Sequence, residues 1–227
     1  MNEVRGSAVS AFLSCPAYGA WKALPEAHAG PVHCGTLCGS MAHGLVTGHA
    51  FEMPRVVTWD GDTANLKDLE WQAASIAKAV DEWVGEREVL CKEIEYKTED
   101  GLTGHADMLV MDDKGTKQLV DLKTGHRKPG TSTWTQLAVY AWMNFSIEPK
   151  RYIADELVLL WVPRVRRGMD QPVHADTRPA TELVNMGREL AQRALSASKR
   201  PDVRIPGDHC RYCGIEDCLM RMRVDGK

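Results

Sequence analysis

Two aspartates and a lysine on consecutive predicted strands are the residues of this sequence best suited to chemistry. Asp107 lies within one strand, Asp121 lies near the end of the next, and Lys123 follows two positions later. Facing side chains on antiparallel strands lie about 5 Å apart, so two carboxylates there make sense if a hard divalent cation sits between them. Lys123 points to the same face as Asp121 and would reach a phosphate held there. A lone Asp-x-Lys is also common as solvated surface charge, so neighbouring motifs must decide.

The elements that position these residues are predicted from a change in hydrophobic period. Apolar residues recur every three or four positions over 63–84, as in an amphipathic helix, and then give way to alternation, as in strands. The predicted strands are 88–97, 103–111, 118–122 and 152–162, and the predicted helices are 4–14, 17–24, 35–47, 63–84, 131–145 and 179–197. This order predicts an α/β fold with a mixed central β-sheet flanked by helices.

The composition is that of an ordinary globular chain, with 44% hydrophobic and 26% charged residues among 227. No apolar run approaches the roughly 20 residues of a membrane span, and MNEVRGSAVS lacks the layout of a signal peptide. We therefore expect a cytoplasmic protein with no membrane partner. The net charge of −3 argues against a generic basic coat, so any nucleic-acid contact must come from local clusters.

The seven cysteines are unevenly distributed, which in a cytoplasmic chain indicates metal binding rather than disulfides. Cys210, Cys213 and Cys218 place three thiolates within nine residues. A closed tetrahedral site or a four-iron cluster needs a fourth ligand, and this spacing alone does not separate zinc from iron and sulfur. Cys34 and Cys38 lie one helical turn apart, where we expect buried free thiols; a Cys/Cys/His metal site is the alternative.

Taken together, the motifs resemble those of the PD-(D/E)XK nuclease superfamily, in the form of its RecB-like branch. The segments that match, besides Asp107, are Asp121-Leu122-Lys123, Gly39-Ser40-Met41-Ala42-His43, Gln136-Leu137-Ala138-Val139-Tyr140 and the acidic position Glu93. They occur in the order of that family and with similar gaps. The resemblance implies a restriction-endonuclease-like core and a metal-dependent deoxyribonuclease, an exonuclease of phage or bacterial DNA recombination, repair or replication.

The resemblance also implies a role for each matching side chain around a bound Mg²⁺ or Mn²⁺. The implied catalytic residues are Asp107, Asp121, Lys123, Glu93, Gln136 and Tyr140, and the implied metal ligands are His43, Asp107, Asp121 and the Leu122 carbonyl. The lysine would hold the attacking water or the transition-state oxygens, and the glutamine and tyrosine would touch DNA or position the lysine. These assignments have structural alternatives. His43 could be a packed core residue, and Gln136 and Tyr140 could cap the edge of the core. Glu93 could be a surface charge on the strand that also carries Glu95.

The segment SAFLSCPAYGAW resembles the N-terminal entry of RecB-like nucleases with iron–sulfur clusters, including AddB and the CRISPR adaptation nucleases. The four cysteines thereby implied to hold a [4Fe–4S] cluster, with Zn²⁺ as the alternative, are Cys15, Cys210, Cys213 and Cys218. Four residues separate the last two, where five are common in the family. Such a cluster would staple the chain ends together. The implied organisation is a single nuclease domain, 1–227, with a catalytic core, 35–198, and a cysteine-cluster cap, 1–34 plus 199–227.

Two basic clusters are candidate DNA contacts, although such clusters are often only solvated faces. They are His126, Arg127 and Lys128 after the lysine strand, and Arg164, Arg166 and Arg167 after the last strand. The expected partner is single- or double-stranded DNA, with a homo-oligomer or a recombination or replication protein as a further partner. Two other functions stay open: a DNA-binding module with an inactive nuclease fold, and a zinc-stapled interaction protein whose Asp-x-Lys is accidental.

Overall fold

A six-stranded mixed sheet with helices on both faces dominates the computed structural model, which describes residues 3–24, 31–60, 65–147 and 152–215 together with Cys218. The strands are β1 (Val4–Arg5), β2 (Val32–His33), β3 (Val57–Thr58), β4 (Glu88–Lys97), β5 (Leu102–Met111), β6 (Lys117–Thr124), β7 (Glu156–Val162) and β8 (His174–Pro179). The helices are α1 (Val9–Ser14), α2 (Pro16–Lys22), α3 (Cys34–Thr47), α4 (Leu66–Val84), α5 (Thr131–Ile147) and α6 (Ala180–Ser198). The predicted α/β fold with a mixed central sheet is confirmed.

The large sheet follows the strand order β1-β5-β6-β7-β8, and β4 pairs with β5 outside this path. β4, β5 and β6 are antiparallel neighbours, whereas β6 and β7 run parallel because α5 crosses between them. β6 is therefore a central strand, and its Leu119, Val120 and Leu122 are fully buried. This position explains why the middle of the strand, residues 119–122, is apolar except for Asp121. β2 and β3 form a separate parallel pair.

Each face of the sheet carries its own hydrophobic core. On one face α1, α5 and α6 cover side chains that include Leu109 and Leu119. On the other face α3 and α4 cover Met108 and Val120. A site at the end of β5 and β6 can therefore receive side chains from α3 on one side and from α5 on the other. None of the helices in the described ranges combines the length and the apolarity needed to cross a bilayer.

Besides the short strands β2 and β3, which were not predicted, and β7, which begins at Glu156 rather than at 152, two segments differ from the sequence prediction. Residues 4–8, predicted as helical, form β1 and a 3₁₀ turn before α1 begins at Val9. Pairing with β5 and a hydrogen bond from Val4 N to Gly101 O outweigh the local helix propensity. β8 was not predicted because all six of its residues are exposed and, among the described strands, β7 is its one partner, so it shows no apolar alternation.

Candidate active site

The two aspartates lie where β5 and β6 separate. The antiparallel ladder between these strands runs as far as the pair Met108–Val120 and then stops. Asp107 and Asp121 occupy the next facing positions, and the Leu122 N–H, instead of joining the ladder, donates to Oδ2 of Asp107 at 2.6 Å. Asp107 is only 9% exposed and Asp121 only 2%. The fork in the sheet therefore holds two nearly buried carboxylates at its apex, on the neighbouring strands where the sequence places them.

Helix α3 brings His43 to this fork. The helix approaches β6 closely at Gly39, where an added Cβ would lie 2.7 Å from Oγ1 of Thr124. One turn later, Nδ1 of His43 lies 3.0 Å from Oδ1 of Asp107. The helix ends at Gly48 in the left-handed conformation, with φ of 83°. The Gly-x-x-x-His pattern thus has a physical reason, because the glycine permits the close approach that lets the histidine reach the aspartate.

Asp121 receives its neighbours from β6 itself and from α5. Its Oδ2 lies 2.7 Å from Nζ of Lys123, and its Oδ1 accepts a 3.5 Å hydrogen bond from Nε2 of Gln136. The same Gln136 nitrogen donates to the Tyr140 hydroxyl at 2.7 Å. Lys123 and Asp121 form an ion pair. In the described ranges, no residue makes a hydrogen bond of suitable geometry to Oδ2 of Asp121. Gln136 and Tyr140 are thus next to the acid rather than at a remote core edge.

Glu93 lies beside the same site in an unusual backbone conformation. It continues the β4–β5 register opposite Asp107, but its φ is +51°, a region that non-glycine residues seldom adopt. Its neighbour on the strand face, Glu95, is exposed and 3.9 Å from Nε2 of His105. Of these two glutamates, only Glu93 lines the pocket described next. Strain of this kind is common at functional sites and was not visible in the sequence.

A pocket of about 790 Å³ opens beside the fork. Its walls include His43, Glu93, Leu122 and Lys123, with the two aspartates buried behind them. His43 and Lys123 each contact an aspartate of the fork and Leu122 donates its N–H to Asp107, so this part of the pocket wall adjoins the two carboxylates. It is large enough for a nucleotide-sized group, because ligand pockets range from about 300 to 1,000 Å³.

The electrostatics of the fork favour a cation. Burial raises the pKa of Asp121 to about 6; Lys123 opposes this shift and the charge of Asp107 adds to it. Burial disfavours protonated His43, but the attraction of the Asp107 charge and the hydrogen bond that His43 donates to Asp107 outweigh this, so the pKa of His43 is raised. One imidazole and two carboxylates suit Mg²⁺ or Mn²⁺. In the described ranges they form two adjacent pairs, His43–Asp107 and Lys123–Asp121, rather than one cluster with all donor atoms within 4.8 Å.

The raised pKa of Asp121 predicts a pH-dependent stability difference. Its pKa in the folded metal-free protein, about 6, exceeds its ordinary 3.8, so folding takes up a proton between these values and stability falls as pH rises through them. An asparagine at this position does not titrate, so Asp121→Asn removes the pH-dependent contribution of this carboxyl to stability. We therefore expect the melting temperature of Asp121→Asn, measured in EDTA, to gain on that of the wild type as pH rises from about 4 to 7. A constant difference over this range would contradict the buried, repelled carboxylate.

The first basic cluster, His126, Arg127 and Lys128, is exposed and directly follows Thr124 and Gly125, which line the pocket. It is therefore next in the chain to residues of the pocket wall. Whether it contacts DNA stays a prediction.

The second basic cluster is divided between Arg164, which is buried but lines the pocket, and two exposed arginines, and contact with DNA stays a prediction for all three. Arg164 is only 6% exposed, and its guanidinium donates to Oδ2 of Asp60 at 3.0 Å and contacts the Cys34 sulfur at 3.9 Å. Arg166 and Arg167 are exposed. Arg164 therefore acts as a structural link between the end of β7 and the start of α3, and it is not a free surface cation. Its partner is 104 residues away in the chain, so a local charge pattern could not identify it.

The four predicted cluster cysteines are all buried, with exposed fractions of 4% to 6%. Burial raises the pKa of Cys213, and the other three thiols each raise it further, which places them within electrostatic range of Cys213. Cys15, between α1 and α2, accepts a 3.4 Å hydrogen bond from Ile205 N. The N-terminal helices and the C-terminal segment thus meet at these cysteines. Cys34 and Cys38 are fully buried, as expected of structural thiols.

Comparison with known proteins agrees with the family that the motifs resemble. The sequence profile described as the PD-(D/E)XK nuclease superfamily matches residues 39–218. No curated protein sequence gives a significant match. Among solved structures, the chain is similar to that titled "Crystal structure of SSO0001", with 14% identity, a TM-score of 0.42, and coverage of 97% of this chain and 87% of the other.

A second similar structure is the alkaline exonuclease LHK-Exo from Laribacter hongkongensis, with 14% identity, a TM-score of 0.40, and coverage of 76% and 90% of the two chains. Its complex with dAMP gives 15% identity, a TM-score of 0.38 and 88% coverage of each chain. The family profile covers most of the sequence, from the glycine before His43 to Cys218. On this match, the chain belongs to the PD-(D/E)XK nuclease superfamily.

Proposed function

We propose that the protein is a Mg²⁺- or Mn²⁺-dependent deoxyribonuclease that removes nucleotides from DNA ends during recombination, repair or replication of phage or bacterial DNA. The observation that carries the proposal is the fork between β5 and β6, where His43 meets Asp107 and Lys123 meets Asp121 beside one pocket. All the acidic, basic and imidazole groups that phosphodiester hydrolysis needs are intact. This argues for an active nuclease over a DNA-binding module with an inactive fold.

The proposed metal ligands are His43, Asp107, Asp121 and the Leu122 carbonyl. The bound ion would supply a water of lowered pKa and polarise the scissile phosphate. Lys123, on the pocket wall, would stabilise the charge on the phosphate oxygens. Gln136 holds Asp121 in place through its amide and is itself held by the Tyr140 hydroxyl. These two residues act on the reaction through Asp121 rather than on the substrate.

The proposal is tested by incubating end-labelled single-stranded, double-stranded and circular DNA with the protein in Mg²⁺, Mn²⁺ or EDTA. We expect metal-dependent release of short products from linear DNA and no cutting of the circles, because exonucleases need an end. Lys123→Ala, which leaves the buried acids in place, is the inactive control. Intact linear DNA in both metals, from protein shown to be folded by circular dichroism, would reject a nuclease. Cut circles would reject only the exonuclease part.

For the cysteines we propose a [4Fe–4S] cluster held by Cys15, Cys210, Cys213 and Cys218. A single tetrahedral zinc ion would hold thiolates about 3.8 Å apart. In the described ranges, no three of these sulfurs lie within 4.8 Å of one another, so they are not already arranged around one zinc ion, and the cluster is proposed on the resemblance of the cysteine pattern. The N-terminal helices are already docked there, since Ala17 N donates to Val203 O at 3.0 Å. The cluster would therefore stabilise an existing contact between the chain ends.

Replacement of one cluster cysteine is expected to remove both the colour and part of the stability. Anaerobically purified wild-type protein should absorb broadly near ~400 nm, and Cys213→Ser should lose this band and melt at a lower temperature. Cys91→Ser is the matched control, because Cys91 is an exposed thiol elsewhere in the chain. A colourless wild type that contains zinc would favour the alternative metal. Equal spectra for wild type and Cys213→Ser would exclude this cysteine as a ligand.

A further inference from the structure

Large apolar side chains are exposed in the segment between α3 and β3. Residues 48–56 contain three such residues, and a fourth directly follows β3: Phe51 is 37% exposed, Met53 50%, Val56 58% and Trp59 44%. Exposed apolar side chains are ordinary when scattered, but several together beside a pocket indicate an interaction site. The neighbouring pocket is the one that His43 and Lys123 line.

Both ends of this segment are fixed to the walls of the pocket. At its start, Gly48 turns the chain back on α3, and an added Cβ at Gly44 would lie 2.6 Å from His49 O. At its end, β3 pairs with β2, and Asp60 binds the buried Arg164. The segment is therefore held at two points beside the site.

Phe51 is the member of this group placed nearest the chemistry. Its Cδ1 would lie 3.5 Å from a Cβ at Gly44, the residue directly after His43. Phe51 also lines the pocket together with Lys123 and Glu93. The ring is thus part of the wall of the proposed nuclease site, and over a third of it is open to solvent.

We infer that Phe51 is a base-stacking residue, which positions the nucleobase attached to the phosphodiester that is cleaved. The inference rests on the proposed function and adds a determinant of substrate choice to it. A phosphate near Lys123 must have its nucleoside within a few ångströms, and the pocket wall there offers an aromatic ring. Stacking of a base on an aromatic side chain is favourable for every base, so the site would show little sequence preference.

Stacking on Phe51 would restrict the form of the DNA at the pocket. Both faces of a base inside a duplex are covered by its neighbours, so the base on Phe51 must be unpaired or at a strand end. The protein should therefore bind single strands and duplex ends in preference to the interior of a duplex. The phosphates would bind through the exposed cluster of residues 126–128, and the base through Phe51.

The test compares binding to two labelled twelve-nucleotide strands, oligothymidine and an abasic strand with the same phosphates, by fluorescence anisotropy. Asp121→Asn serves as the background in all proteins so that the strands are not cut. We expect the background protein to bind oligothymidine about tenfold more tightly than the abasic strand. Adding Phe51→Ala should abolish this difference by weakening only the oligothymidine complex, and Phe51→Trp should retain it.

Phe145→Ala is the matched control, because Phe145 is 58% exposed on α5, on the opposite face of the sheet. It should leave the tenfold difference unchanged. A difference that persists in Phe51→Ala would overturn the inference, as would a change of oligomeric state in Phe51→Ala without a change in DNA binding. If the otherwise wild-type protein cuts single-stranded DNA and Phe51→Ala cuts it equally well, the stacking role fails while the nuclease stands. If the otherwise wild-type protein neither binds nor cuts DNA, the proposed function itself fails.

Discussion

Asp121→Asn is expected to reduce metal-dependent DNA cleavage by about 1000-fold or more, while making the metal-free protein more stable. The activity falls because an amide is a poor ligand for a hard cation and no longer attracts one. The stability rises because the ionised carboxylate is 98% buried opposite Asp107, and burial and repulsion exceed the attraction of Lys123, as the pKa of about 6 for Asp121 indicates. We expect a gain of about 3 kcal/mol in the free energy of unfolding at neutral pH, the equivalent of a pKa raised from 3.8 to about 6.

The opposite signs of the two effects make this prediction specific to a functional carboxylate. Cleavage rates with Mn²⁺ and melting temperatures in EDTA are measured on the same preparations. Added Mn²⁺ should raise the melting temperature of the wild type and should raise that of Asp121→Asn much less. Asp113→Asn, in an exposed turn, is the control and should change neither quantity. A variant that still cleaves at the wild-type rate would remove Asp121 from the catalytic centre.

The strands that carry the aspartates were predictable because their alternation and turns are local properties of the sequence. The predicted 103–111 and 118–122 differ by at most two residues at each end from β5 and β6. The facing positions of Asp107 and Asp121 follow from that pairing. The meeting of His43 with Asp107 is not a local property, and only the resemblance to a family implied it.

Features that depend on distant partners or on backbone detail were not predictable. Arg164 was expected on the surface because Arg166 and Arg167 follow it, but Asp60 draws its guanidinium into the interior. Glu93 has a positive φ where β4 passes opposite Asp107 on β5. The type of the residue does not indicate this backbone conformation. The side chains that complete the site are therefore set by tertiary contacts that local patterns do not encode.

Gly187 shows how strongly such contacts constrain the chain, although its sequence context is that of an ordinary helix. It lies in the middle of α6, where glycine is normally less favourable than alanine by about 1 kcal/mol. Here, however, α6 crosses α5 so closely that a Cβ at Gly187 would collide with the main-chain oxygen and carbon of Ala138. Backbone atoms cannot rotate away as a side chain can, so the two helices would have to separate.

Gly187→Ala is therefore expected to destabilise the protein by about 3 kcal/mol and to lower its melting temperature by about 8 °C, against the sign that helix propensity predicts. It should also reduce cleavage, because Ala138 lies on α5 between Gln136, which contacts Asp121, and Tyr140, which contacts Gln136. Thermal unfolding by circular dichroism gives the stability, and cleavage is measured well below the melting temperature. Asn185→Ala, on the exposed side of α6, should leave both unchanged or slightly raise stability. If Gly187→Ala were as stable as the wild type, α5 and α6 could not be as close as their backbones place them. α5 would then have room to move, and Gln136 would move with it away from the fork.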